Sequence, residues 1–205
     1  MTAVSEPRAT KAIARARRRA PYDAESLLDV AVQVFNERGY DGTSMEDLAQ
    51  AAGISKSSFY HHVEGKEALL AAACDRALDA LTAIREDPLA QEGRAVERLE
   101  NVLRLTVMAL ITELPYVTLL LRVRGNTASE KKALERRRDF DRFATDLVTQ
   151  AIADGDLRTD IEPALATKLV FGLVNSLIEW YRPGRTPSDE VVNSTVSLAL
   201  VGLRA

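Results

Sequence analysis

Two short helical patterns meet at a glycine between residues 43 and 62, and that junction restricts the fold more than any other stretch of the chain. Thr43 has Glu46 three residues on, which predicts a capping box opening a helix that runs to about Ala51. Gly53 breaks the pattern, Ile54 restores an apolar contact, and Ser55 is placed to cap a further helix carrying Lys56, Ser57, Ser58, Phe59, Tyr60 and His61. Leu48, Ala52, Ile54 and Phe59 supply a small shared core, and Ala49 is small enough for close approach. Two short helices at a tight glycine turn are the layout of a helix-turn-helix, whose second helix enters a DNA major groove.

The side chains of the second helix suit that role. Ser57 and Ser58 are short hydroxyls that let a helix N-terminus come close to base edges, Lys56 reaches a base or phosphate, and Tyr60, His62 and Lys66 can donate to phosphate oxygens. Thr43 and the backbone amides beside it form a further anion site. Thr43 and Ser55 also read as helix caps, the remaining polar groups equally as a solvated face, and Phe59 as core. Adjacent helical positions point about 100° apart, so His61 and His62 do not make a metal site.

Around this head the pattern is helical throughout. Leu27, Leu28, Ala31, Val34 and Phe35 recur at three-and-four spacing, with Gly39 as the stop. Upstream, Arg8, Lys11, Arg15, Arg17, Arg18 and Arg19 form a basic arm within a chain of net charge -3. Such an arm binds nucleic acid or is a solvated tail, and its composition favours neither. Cys74 is the single cysteine, which excludes an intrachain disulfide and reads as a small buried hydrophobe. No window approaches the roughly 18 apolar residues of a membrane span, and the basic start lacks the apolar run of a signal peptide, so a cytoplasmic protein without membrane contact is expected. The two histidines, His61 and His62, both fall in the head. A helical-bundle enzyme needs inward carboxylate and histidine ligands, so no catalytic residues, metal or cofactor are expected.

The stretches Thr43-Ser44-Met45-Glu46-Asp47-Leu48-Ala49, Ala52-Gly53-Ile54-Ser55-Lys56-Ser57-Ser58-Phe59-Tyr60-His61-His62 and Lys66-Glu67-Ala68-Leu69-Leu70 together resemble the N-terminal signature of TetR/AcrR-type transcriptional regulators. The resemblance spans about Tyr22 to Leu70. It implies that Thr43, Lys56, Ser57, Ser58, Tyr60, His62 and Lys66 occupy positions that commonly touch DNA. Two departures stand out: Val63 replaces the usual phenylalanine, and Glu64-Gly65 replaces a small polar or basic pair.

The long helical patterns and the lack of strand alternation predict an all-α chain of about nine helices. Its expected parts are a basic arm over 1–20, a three-helix helix-turn-helix domain over 21–67, and an effector-binding and dimerisation domain over 68–205. Helix four runs through Cys74, Leu78, Leu81 and Ile84 to the Glu86-Asp87-Pro88 break. Further helices are expected from Val96 to Glu113, Tyr116 to Val123, and about Ser129 to Asp154, the last with a charged first half. Between Leu165 and Tyr181 the only charges are Lys168 and Glu179, and Val191 to Leu203 has none. Helices apolar all round must be buried all round, so the last two are expected to pair with a second copy, with Gly172, Ser176, Ala199 and Gly202 allowing close contact. TetR-type regulators resemble this, and a two-fold dimer presents two recognition helices to a near-palindromic operator in double-stranded DNA.

An effector cavity is implied by the same resemblance. Leu103, Val107, Met108, Ile111, Leu121, Phe140, Phe143, Leu147, Phe171, Val174, Asn175 and Ile178 are its candidate lining, an ordinary solid core being the alternative for each. Asn175-Ser176-Leu177-Ile178-Glu179-Trp180-Tyr181-Arg182-Pro183-Gly184, with Gly202-Leu203, resembles family members that control fatty-acid, phenylacetate or steroid-ring degradation and respond to acyl-CoA thioesters. Such a ligand needs cations for its phosphates, for which Arg122, Arg124, Arg136 and Arg137 are candidates. The other reading of these arginines is a solvated face pairing with Glu130, Glu135 and Asp139. The expectation is therefore a dimeric repressor released from its operator by a small hydrophobic or acyl-CoA effector. A constitutive or architectural DNA-binding protein, with a filled second domain, is the alternative.

Overall fold

The computed structural model describes residues 23–204; the basic arm over 1–20 lies outside them. The first helix, α1 (Ala24–Arg38), opens on Asp23, whose carboxylate accepts the Ser26 amide at 2.8 Å while the Ser26 hydroxyl oxygen accepts the Asp23 amide at 3.1 Å. Leu27, Ala31, Val34 and Phe35 bury the face that their spacing predicts. α2 (Met45–Ala52) follows, and Gly53 ends it with φ 67°, a left-handed conformation that favours glycine. α3 (Lys56–Tyr60) is one turn and a half, capped by Ser55, which accepts the Ser58 amide at 3.1 Å.

α4 (Lys66–Glu86) runs straight through the boundary expected at residue 67. It carries Leu69, Leu70, Ala73, Cys74, Ala77 and Leu78 into a core shared by α1, α2, α3 and the helices beyond. Pro88 opens a four-residue turn, α5 (Pro88–Gln91), because a proline at the first helical position lacks only an amide that would be unpaired anyway. α6 (Ala95–Thr112), α7 (Leu114–Arg122) and α8 (Ala128–Ala153) follow, with Pro115 in the first turn of α7.

The expected single helix from Leu165 to Tyr181 is divided. α9 (Pro163–Asn175) ends at Ser176, whose hydroxyl donates to the Leu173 carbonyl at 2.7 Å, and α10 (Leu177–Trp180) is a separate turn. α11 (Ser188–Leu203) closes the chain. The nine expected helices are thus present among the described residues, joined by the two turns α5 and α10, and no strand is found there beyond one isolated bridge between Leu157 and Arg204.

α6, α8, α9 and α11 enclose a second core around Leu99, Leu103, Phe140, Leu147, Phe171 and Leu200. The outer face of α9 and α11 is uncovered in one copy. Leu165, Leu169, Leu173, Leu198 and Val201 are exposed, Leu169 by 60% and Leu198 by 68%. Burial all round, expected of these helices from composition, is not achieved within a single chain.

Candidate nucleic-acid interface and effector cavity

Thr43 is not the cap expected from its spacing to Glu46. The box opens one residue later: Ser44 accepts the Asp47 amide at 3.2 Å, and Asp47 accepts the Ser44 amide at 2.8 Å and its hydroxyl at 2.6 Å. Threonine and serine stand side by side, each with an acid three residues on, so the sequence offered two overlapping boxes. The hydroxyl of Thr43 decides between them by donating to the Gly39 carbonyl at 2.7 Å, which leaves the residue 2% exposed. Its side chain therefore closes the α1–α2 turn and is not presented to a phosphate. Bonds from Ser44, then the Arg38 guanidinium at 3.1 Å, hold the Asp47 carboxyl below its ordinary value.

Lys66 is also turned inward. Its ammonium donates to the carbonyls of Tyr40 and Thr43, both at 2.9 Å, and lies 4.4 Å from the centre of the Tyr40 ring. Two of its three protons are thus used in bracing the turn that precedes α2. The expected phosphate donor is a strut.

The remaining head residues share one exposed surface. Lys56, Ser57, Tyr60 and His62 are exposed and Ser58 is half-buried, while Phe59 between them is fully buried and anchors α3. Ser55 and Ser57 hydroxyls lie 3.1 Å apart, and Lys56 meets Glu46 at 3.7 Å, a loose and exposed pair that a phosphate can displace. Lys56, Ser57 and Tyr60 are exposed on α3, with His62 just beyond the helix end.

The effector candidates do not stay together. Leu121, Arg137, Phe140, Phe171 and Asn175 line a cavity between α4, α6, α7, α8 and α9, joined by Leu81, Thr106, Val117 and Asp141. Its volume is about 40 Å³, little more than one water molecule occupies. Leu103 and Leu147 are instead solid core, as are Val107 and Val174 with Ile178 against them. Met108 and Ile111 line an open surface groove beside α11. Phe143 packs under the Arg85 guanidinium at 5.5 Å.

The arginines separate as well. Arg136 is held by Asp75 at 2.8 Å and by Asp79 at 2.7 Å, both on α4. Arg122 donates to the Asn36 carbonyl at 2.9 Å, and with Arg124 it lines a cleft of about 380 Å³ between the head and α7. Only Arg137 reaches the cavity. Glu130, expected as a solvated partner for these arginines, is 4% exposed and accepts the backbone amides of Arg124, Gly125 and Asn126 at 2.9, 2.7 and 3.0 Å. Seen from one chain, these side chains lie on several faces because i, i+3 spacing marks a buried stripe without saying which helix it faces.

α7 connects the cavity to the head. Val117, Leu120 and Leu121 face the cavity, and Leu119, Arg122 and Val123 face the cleft on its other side. Tyr116 donates to the Asp29 carboxylate on α1, and the Asn36 carboxamide donates to the Pro115 carbonyl at 2.8 Å. Arg76 of α4 lies over the Tyr116 ring at 4.3 Å and pairs with Glu113 at 2.7 Å. Burial, and then the bond to Asp29, push the Tyr116 hydroxyl well above its ordinary range, so it remains a donor at any physiological pH.

A helix-turn-helix head continuous through α4 with an all-helical second domain is the arrangement of a DNA-binding regulator. Residues 27–73 match the family of bacterial regulatory proteins called tetR, and residues 92–203 match the tetracyclin repressor-like C-terminal domain. The chain belongs to the TetR family of DNA-binding transcriptional regulators and is not an enzyme. It is 57% identical to SCO3833 of Streptomyces coelicolor A3, a member of the TetR transcriptional regulator family, over 91% of this chain and 94% of that one, with a TM-score of 0.83. It is 29% identical over 181 residues to the HTH-type transcriptional repressor KstR2 of Rhodococcus jostii, covering 86% of this chain and 89% of the relative. AibR, solved in complex with isovaleryl coenzyme A and operator DNA, is 25% identical, with a TM-score of 0.71 over 85% of this chain and 96% of that one.

Proposed function

We propose that this regulator is a homodimeric repressor that leaves a near-palindromic operator when a hydrophobic or acyl-CoA effector enters the cavity between α4, α6, α7, α8 and α9. The observation that carries this reading is the position of α7, which forms one wall of the cavity and is bonded to α1 of the head. A cavity of about 40 Å³ cannot admit an acyl chain without the helices separating, and α7, the wall bonded to α1, carries that separation to the head. The effector therefore binds an opened arrangement more tightly than the closed one, and only that difference shifts the population. The similarity to AibR, whose complex holds isovaleryl coenzyme A, supports the effector class, and the exposed apolar face of α9 and α11 supports pairing through these helices.

Lys56, Ser57, Ser58, Tyr60 and His62 are the groups we assign to DNA. Base-edge contacts fall to Lys56 and the two serines, and phosphate contacts to Tyr60 and His62. In this reading the protein functions in the cytoplasm, where its operator lies.

The test is a thermal-shift screen against acyl-CoAs of increasing chain length, followed by gel shifts on the operator. A binder should raise Tm and release DNA over the same concentration range. A uniform lack of response across the series would instead identify a constitutive DNA-binding protein.

A further inference from the structure

Polar side chains that enter the helical interior of this protein are, in general, saturated. Arg136 has two carboxylates, Glu130 has three amides, and the Thr106 hydroxyl donates to the Val102 carbonyl at 2.7 Å. Three cavity-lining side chains depart from this rule. Arg137 and Asp141 stand one turn apart on the inner face of α8, and Asn175 faces them from the end of α9. All three are half-buried, and among the described residues none makes a side-chain hydrogen bond or an ion pair. Around them the wall is apolar: Phe140 and Phe171 meet edge to face at 5.8 Å, with Leu81, Val117 and Leu121 beside them.

None of their polar atoms is both buried and unpartnered, so each meets solvent, and a ligand that displaces this water is favoured when it pairs them over one that does not. Their chemistry restricts the complement. A guanidinium only donates, an ionised carboxylate only accepts, and a carboxamide does both. We propose that Arg137, Asp141 and Asn175 form a polar reading face that selects an apolar chain whose head combines a carbonyl with an adjacent N–H or O–H, as in an acyl amide or a hydroxyacyl group. The carbonyl takes its bonds from Arg137, the N–H or O–H donates to Asp141, and Asn175 completes whichever is left. Burial holds the Asp141 carboxyl above its ordinary value, against the opposing pull of Arg137, and a donor placed on its oxygens relieves that burial.

This inference rests on the effector reading above, and matched probes separate the two. Calorimetry would be run on the full chain with decanamide, which has a carbonyl and N–H groups, with methyl decanoate, which has the carbonyl alone, and with decanoyl-CoA. Decanamide should bind about tenfold or more tightly than the ester, the range a charge-assisted hydrogen bond supplies. Asp141→Leu should bring the two within about twofold, Asp141→Asn should keep most of the preference because it retains an acceptor, and Arg137→Met should weaken both probes together. Equal binding of amide and ester by the wild-type protein, or an undiminished preference in Asp141→Leu, would overturn the reading face while leaving the effector role intact. Failure of all three probes to bind would overturn both.

Discussion

The inward turn of Lys66 gives a test in which two physical roles produce opposite signatures. Replacing it with methionine keeps the length of the side chain and removes the ammonium, so the carbonyls of Tyr40 and Thr43 lose donors at 2.9 Å and the Tyr40 ring loses its cation. Hydrogen bonds from a charged donor contribute about 1.5–3 kcal/mol each when buried, and Lys66 is half-buried, so the pair is worth about 3 kcal/mol. For a chain of this size that lowers Tm by about 6–12 °C. The slope of log affinity against log salt should not change, because no phosphate contact is lost. A lysine that gripped a phosphate would behave in the reverse manner, with Tm preserved and the slope reduced by about 0.9. Differential scanning calorimetry and fluorescence anisotropy on an operator duplex at several salt concentrations read both quantities. A Lys66→Met protein that melts within a degree of wild type and shows the reduced slope would refute the strut.

Other perturbations have equally definite expectations. Tyr116→Phe removes the bond to Asp29 and leaves the ring under Arg76, so effector should still raise Tm while operator release, followed by gel shift, requires several-fold more ligand. A combined Leu169→Glu, Leu198→Glu change places charges on the uncovered face of α9 and α11 and should shift the protein to monomer in sedimentation velocity, with operator affinity falling by an order of magnitude or more; a dimer that persists would locate the interface elsewhere. The Asp47 carboxyl, held low by Ser44 and Arg38, contributes stability that is complete above the ordinary value of 3.8 and is lost as pH falls through its lower native value. Asp47→Asn should therefore flatten the acid limb of a stability profile below about pH 4, and an unchanged limb would argue against the box at Ser44.

Local patterns were legible to the extent that one residue's neighbours determine its role. The turn at Gly53, the cap at Ser55, the buried Phe59 and the stop at Gly39 depend on backbone conformation and short-range hydrogen bonds, and the structure has each in place. The cap at α2 was displaced by one position because Thr43 and Ser44 satisfy the same spacing rule, and a carbonyl four residues back breaks the tie. Tertiary direction was less accessible. Periodicity showed that Leu103, Val107 and Val174 are inward, but whether an inward residue meets a cavity or another helix depends on five helices at once. Glu130 and Asp141 sit in one charged run, and nothing in that run distinguishes the carboxylate that closes a turn from the one that faces the cavity.

The carboxylate of Glu130 bears on how motion passes through the molecule. α7 is tied to α1 at its start by Asn36 and Tyr116 and at its end by Arg122, so it travels with the head as one body. The bend after it is cinched onto α8 by the three amides that Glu130 gathers, and the chain there can swivel more readily than it can stretch. That makes the bend a fulcrum. With nine residues in α7, a tilt of about 10° carries its far end by about 2 Å. In the proposed dimer each head would be carried by that tilt, so a displacement that is slight at the effector would alter the spacing of the two recognition helices at the DNA.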